Sequence, residues 1–170
     1  MKNIFLTFLI FALLILTSCG GNAENLSKND LAPDFTLSDA FGNLYTLSEL
    51  RGNPVVIYFY PKANTSGCTK QACGIRDSRD KFGDNNIAVL GISVDSKASI
   101  AEFISEHNLN FPLLSDENKE VSQAYGVLNN LGMSSRITFI INRDGKIAKI
   151  MRDFDIDQHA DEVFEFASKI

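Results

Sequence analysis

Cysteine and histidine are scarce in this chain: three of the first and two of the second among 170 residues. His107 and His159 lie far from each other and from every cysteine in sequence. Both read as surface or helix-end residues with no metal or catalytic part. The acidic run Asp153-Phe154-Asp155-Ile156-Asp157 lacks the spacing and the glycine of a calcium loop, and reads as a solvated connection with a helix cap. No Cys-x-x-Cys pair is present, which removes the spacing that fits two sulfurs into one helical turn. Positive charge is not in excess. The net charge is −5, and the basic stripe of a nucleic-acid surface is missing. Internal repeats and long low-complexity segments are also missing. The apolar run Ile4 to Leu16 is about a dozen residues long, short of a comfortable membrane span.

What is present suits one domain with a substantial core. Nearly half of the residues are apolar and the charged fraction is ordinary. Val55 to Tyr60 and Ile87 to Val94 are continuous apolar runs that read as buried strands, and Arg136 to Asn142 is a third. Ala32 to Leu37 and Leu44 to Thr46 read as two strands joined by the turn Phe41-Gly42-Asn43. Leu47 to Leu50 reads as one helical turn, and Phe111 to Leu114 is extended. Asp144-Gly145 is a hairpin signal before a returning strand, Lys146 to Met151. Helical spacing predicts helices from Cys68 to about Lys81, over Lys97–His107 with Ile100, Phe103 and Ile104 on one face, and over Glu117–Tyr125. A closing helix is expected over Asp157–Ile170, with Val163, Phe164 and Phe166 in the core. The fold class is α/β: a central mixed β-sheet flanked by helices, with an N-terminal β-hairpin. That is the order of a thioredoxin-like fold, which by itself assigns no function.

The densest chemical signal follows the first buried strand: Pro61-Lys62-Ala63-Asn64-Thr65-Ser66-Gly67-Cys68-Thr69-Lys70-Gln71-Ala72-Cys73. Pro61 and Gly67 mark a loop, and Cys68 falls where that loop enters a helix. Unpaired N–H groups and the positive end of the helix dipole meet there. Such a place favours thiolate, the reactive form, over thiol.

Pro61-x-x-x-Thr65-x-x-Cys68 resembles the active-site motif of peroxiredoxins. The second cysteine at position 73, followed by Gly74-Ile75-Arg76-Asp77, resembles the bacterioferritin comigratory protein (peroxiredoxin Q) subfamily. Ala32-Pro33-Asp34-Phe35, Leu90 to Asp95, Leu114 to Glu117 and Asn142 to Ile147 support it, so the similarity runs over about residues 30–168. Ser66 departs from the proline of many relatives, at a position not expected to do chemistry. The resemblance implies a thiol peroxidase with Cys68 as the peroxidatic nucleophile. Arg136 is then expected to hold thiolate and peroxide, Thr65 to donate to the thiolate and accept from the peroxide, and Pro61 to wall the site without offering a competing donor. N–H groups near Gly67 and Cys68 would meet charge on the departing oxygen. Cys73 is expected to resolve the Cys68 sulfenic acid within the chain. The five-position separation gives about 7.5 Å of helical rise, beyond the roughly 7 Å reach of a disulfide, so oxidation is expected to unwind the helix. Other readings stay open at this point: Cys73 as a buried spectator, Thr65 as a plain helix cap, Arg136 as a surface residue. A thiol–disulfide oxidoreductase and a copper-delivery protein on the same fold are the competing functions. The resemblance implies no metal, haem or flavin cofactor. It implies a thioredoxin-like dithiol as electron donor, with peroxide as substrate and the protein a monomer.

The N-terminus carries a second resemblance. Lys2, the apolar run and Leu16-Thr17-Ser18-Cys19-Gly20 are similar to a bacterial lipoprotein signal with its lipobox. This divides the chain into a signal peptide (1–18), lipidated Cys19 with a flexible tether (19–30), and the folded domain (31–170). The protein is then expected outside the cytoplasm, held at a bacterial membrane by lipid on Cys19.

Overall fold

A computed structural model describes residues 26–170. The expected signal peptide and Cys19 lie outside the described residues. Residues 27–30, expected within the tether, form a turn fastened to the sheet. Asn29 N–H donates to Ile147 C=O at 2.8 Å, and Ile147 N–H returns to Asp30 C=O at 2.9 Å.

Seven strands form one mixed sheet: β1 (Thr36–Asp39), β2 (Leu44–Thr46), β3 (Val55–Phe59), β4 (Ala88–Ser93), β5 (Leu113–Ser115), β6 (Ile137–Ile141) and β7 (Ile147–Met151). Their spatial order is β2-β1-β5-β4-β3-β6-β7. β3 pairs parallel with β4, and β4 with β5; the remaining pairings are antiparallel. β1 begins later than the sequence suggests, because Pro33 has no N–H for a ladder and its carbonyl accepts the Tyr125 hydroxyl at 2.8 Å. The turn into β2 is held by Asp39, whose Oδ1 accepts the N–H groups of Phe41 and Asn43, each at 2.9 Å.

β3 lies inside the sheet between β4 and β6 with all five residues buried, as a strand covered on both faces requires. Alternation divides it. Val56, Tyr58 and the following Tyr60 face a cluster with Ala72, Ile75, Ile100, Phe103 and Val163. Val55, Ile57 and Phe59 face the opposite cluster with Leu90, Ile92, Tyr125 and Phe139. Removing a wholly buried ring such as Phe103 would cost about 3–5 kcal/mol.

The first cluster is roofed by α1 (Ser66–Asp77), α2 (Arg79–Asp84), α3 (Lys97–His107) and α5 (His159–Ala167); α4 (Glu120–Ala124) lies over the second. The single helix expected from Cys68 to Lys81 is broken at Ser78. There the N–H is shared between the carbonyls of Gly74 and Ile75, at 3.2 and 3.1 Å, a tightened final turn. The bend lets Ile75 and Phe82 both enter the first cluster. α5 is shorter than expected. Val163 is fully buried in it, whereas Phe164 and Phe166 are only partly covered. No helix among the described residues is long and apolar enough to cross a membrane.

Candidate active site

β3 delivers the chain to one end of the sheet, where Tyr60 N–H still bonds to Ile92 C=O at 3.1 Å. The loop from Pro61 is pinned from the neighbouring strand. Asp95 Oδ2 accepts the Ala63 N–H at 2.8 Å and the Ser93 hydroxyl at 3.0 Å. Asn64 takes φ +58, a left-handed angle that asparagine tolerates better than most residues. The chain then enters α1. The first helical bond runs from Thr69 N–H to Thr65 C=O at 2.8 Å. The N–H groups of Gly67 and Cys68 precede it, so they are first-turn donors without a helical acceptor. Cys68 is 2 % exposed and sits inside this turn.

Arg136 stands immediately before β6, the strand beside β3. Its Nη2 donates to Cys68 Sγ at 3.2 Å, and its Nη1 donates to Gln71 Oε1 at 2.6 Å. A guanidinium presents its donors in a rigid plane, so two fixed partners set its orientation. Gly67 leaves the room: a Cβ there would lie 3.1 Å from Arg136 Nη2. Sequence reasoning brings Cys68 and Arg136 together correctly but misses Gln71. The available signal was its place three residues after Cys68, on the same helical face.

Thr65 occupies the helix N-cap position without a side-chain cap bond. Its hydroxyl donates to Lys62 C=O at 3.0 Å rather than to the Cys68 sulfur as expected. A hydroxyl carries one donor and two lone pairs; with its proton engaged, Thr65 keeps only acceptor capacity toward a substrate. Pro61 is half-buried at the loop's start. Cys73 is half-buried farther along the same helix, and both thiols are free.

Two further sequence expectations change. His159 does stand at a helix end, but it is not a surface residue. It is completely buried at the start of α5, where its Nε2 meets Thr138 Oγ1 at 2.9 Å and both ring nitrogens lie 3.4 Å from Gln71 Nε2. Burial, with the Arg136 charge second, pushes its pKa down to about 4, so it stands neutral near pH 7. The connection 153–157 is not simply solvated either. Phe154 stacks on His159 with centroids 4.4 Å apart, and Ile156 reaches 3.5 Å from a Cβ built at Gly67. The run's apolar residues fold over the site while its acids face water, Asp157 pairing with Lys70. His107 does close α3 as expected, its ring against Phe103.

A buried sulfur at a helix N-terminus, contacted by a fixed cation beside free N–H groups, can act as a nucleophile and stabilise an anionic leaving group. Among the described residues no group of three or more His, Cys, Asp or Glu side chains is placed to hold a metal ion.

Known proteins share this arrangement's frame. The AhpC/TSA family pattern matches residues 29–150. Peroxiredoxin Bcp of Escherichia coli (strain K12) is 40% identical over 148 residues, covering 83% of this chain and 95% of that protein. The crystal structure of peroxidoxin BcpB from Mycobacterium tuberculosis superposes with a TM-score of 0.79 at 36% identity, over 86% of this chain and 99% of that one. A Xanthomonas campestris bacterioferritin comigratory protein, studied for its alkyl peroxide reduction activity, superposes with a TM-score of 0.76 at 28% identity, over 85% and 96%.

Proposed function

The chain belongs to the AhpC/TSA family, among its Bcp-type peroxiredoxins, and from that membership we propose how its residues share the reduction of a hydroperoxide. The protein is a thiol peroxidase that works through cysteine. The observation that carries the assignment of roles is the Arg136 Nη2 to Cys68 Sγ contact at 3.2 Å, inside the first turn of α1.

The Cys68 thiolate attacks the nearer peroxide oxygen. A sulfur–oxygen bond forms as the oxygen–oxygen bond breaks. Cys68 leaves as sulfenic acid, and the other oxygen departs as hydroxide or alkoxide and takes a proton to become water or alcohol. Arg136 holds sulfur and peroxide oxygen together, while the N–H groups of Gly67 and Cys68 meet the charge that grows on the leaving oxygen. Thr65 accepts the peroxide proton's hydrogen bond, its own proton being held by Lys62 C=O. Pro61 shields the sulfur from a competing donor.

Cys73 then attacks the sulfenic sulfur, releasing water and leaving a Cys68–Cys73 disulfide. On intact α1 the two positions are separated by about 7.5 Å of rise, so the helix must open first. A thioredoxin-like dithiol returns both thiols, becoming a disulfide itself. The substrate class is hydrogen peroxide and organic hydroperoxides, the protein acts as a monomer, and lipid on Cys19 holds it to a bacterial membrane outside the cytoplasm.

The test is a single-turnover stopped-flow reaction of the reduced domain with hydrogen peroxide, followed by a thiol count. Fast loss of two thiols per molecule, abolished in Cys68→Ser, is the expected result. Fast oxidation with Cys73 still free would transfer the resolving role to another molecule. A rate no better than free cysteine would overturn the assignment of Cys68.

A further inference from the structure

A buried polar chain continues beyond the reacting atoms. Arg136 Nη1 donates to Gln71 Oε1 at 2.6 Å, which fixes which end of that amide faces the guanidinium. The other end, Nε2, has only hydrogens to offer. It points at His159, 3.4 Å from each ring nitrogen. Gln71, Thr138 and His159 are each 1 % exposed or less, so none can turn to water for a replacement partner. Thr138 follows Arg136 by two residues and therefore shares its face of the sheet. Its hydroxyl holds the imidazole at 2.9 Å. Phe154 stacks on the ring from the connection before α5.

The geometry points to His159 as a positioning residue for the peroxidase reaction: seated by Thr138, it accepts from Gln71 and thereby keeps the Gln71 carbonyl turned toward Arg136 and the guanidinium on Cys68. The inference rests on the peroxidase reading given above. An amide can flip end for end with almost no change in shape. A flipped Gln71 would aim its NH₂ at the guanidinium, donor against donor, and Arg136 would lose its strongest anchor. In the tautomer that donates Nε2–H to Thr138 Oγ1, the Nδ1 lone pair rewards only the orientation seen here. The depressed pKa of His159 keeps such a lone pair available near neutrality. An apolar side chain in its place would pack but would not select between the two orientations. The arrangement ties three separate elements, α1, β6 and α5, to the position of one cation.

The experiment is a double-mutant cycle on the reduced protein, read as the second-order rate of reaction with hydrogen peroxide. Circular dichroism and thermal melts accompany each variant. His159→Leu should slow the reaction about tenfold, the size expected for losing one oriented hydrogen bond of about 1.4 kcal/mol. His159→Gln, which restores an acceptor, should recover most of that loss. In a Gln71→Leu background, His159→Leu should add nothing further, because the residue through which it acts is gone. Multiplicative rates, an unslowed His159→Leu, or His159→Gln no faster than His159→Leu would each overturn the proposal. Should His159→Leu not fold, Thr138→Val enters the same cycle. A slowing that vanishes in the Gln71→Leu background is expected there, and a wild-type rate or an additive loss overturns the inference. A wild-type protein no faster than free cysteine would overturn the peroxidase reading and this inference together, whereas a fast wild type with uncoupled variants overturns this inference alone.

Discussion

Arg136 Nη2 lies 3.2 Å from Cys68 Sγ, and Gly67, one residue before the cysteine, makes that approach possible, since a Cβ there would stand 3.1 Å from the same nitrogen. Gly67→Ala therefore tests the contact from the side of the helix. Alanine is favoured over glycine in a helix by about 0.5–1 kcal/mol, so thermal stability should hold or rise. The peroxide rate should nevertheless fall several-fold as the guanidinium is displaced. Arg136→Lys, which keeps the charge but loses the fork between Cys68 and Gln71, should lower it on the order of 10²-fold. Stopped-flow rates with melts on the same samples check both; unchanged rates in the two variants would separate Arg136 from the chemistry.

Oxidation should cost helix. Cys68 and Cys73 share α1 (Ser66–Asp77), and a disulfide between positions five apart does not fit an intact helix. One equivalent of peroxide should therefore reduce the far-ultraviolet helical signal of the wild type, reversibly with dithiol. Cys73→Ser should keep its helical signal and still complete one fast turnover. A formed intramolecular disulfide with an undiminished spectrum would contradict the unwinding.

Acid should weaken the fold in a window set by His159. In the folded protein burial, and then the Arg136 charge, push its pKa down to about 4 from an ordinary 6.5. Between these values the unfolded chain binds a proton that the folded one refuses. This contribution is full above about pH 6.5 and falls as pH drops toward 4, by about 3 kcal/mol at most. Asp34 and Asp39 act lower on the scale. Burial raises both, but hydrogen bonds from Ser48 and Phe35, and from Asn43, Phe41 and Gly42, outweigh it and leave them below the ordinary value. Their contribution is present above that ordinary value and is lost as pH falls through the depressed one. Urea unfolding at pH 7 and pH 4.5 should show a loss that is much smaller in His159→Leu; equal losses would place the acid sensitivity elsewhere.

The lipid anchor has its own test. The whole chain expressed in bacteria should incorporate radiolabelled palmitate and sediment with membranes, and Cys19→Ser should do neither. Label absent from both proteins would remove the anchor.

Much of this protein was written locally. Pro61, Thr65 and Cys68 stand within one loop and helix start, so their spacing is readable, and so is the reactive setting that a helix N-terminus provides. The buried strands are also legible, because β3, β4 and β6 are continuous apolar runs of a length only a covered sheet explains. The sequence also supplied Arg136, through its resemblance to known relatives rather than through any periodicity. What only the tertiary structure decided is the company these residues keep. His159 is 88 positions from Gln71 and 21 from Thr138. No local pattern marks a histidine at the start of an amphipathic helix as buried; only the packing of α5 against β6 buries it. The Thr65 proton went to Lys62 C=O for a related reason: the turn closed by Asp95 and Asn64 brings that carbonyl within 3.0 Å. The motif marks Cys68 as the sulfur expected to react, by its resemblance to known relatives. The fold determined what aims at it, because hydrogen-bond partners are chosen by distance in space, and distance along the chain carries no information about that once strands from opposite ends of the sequence lie side by side.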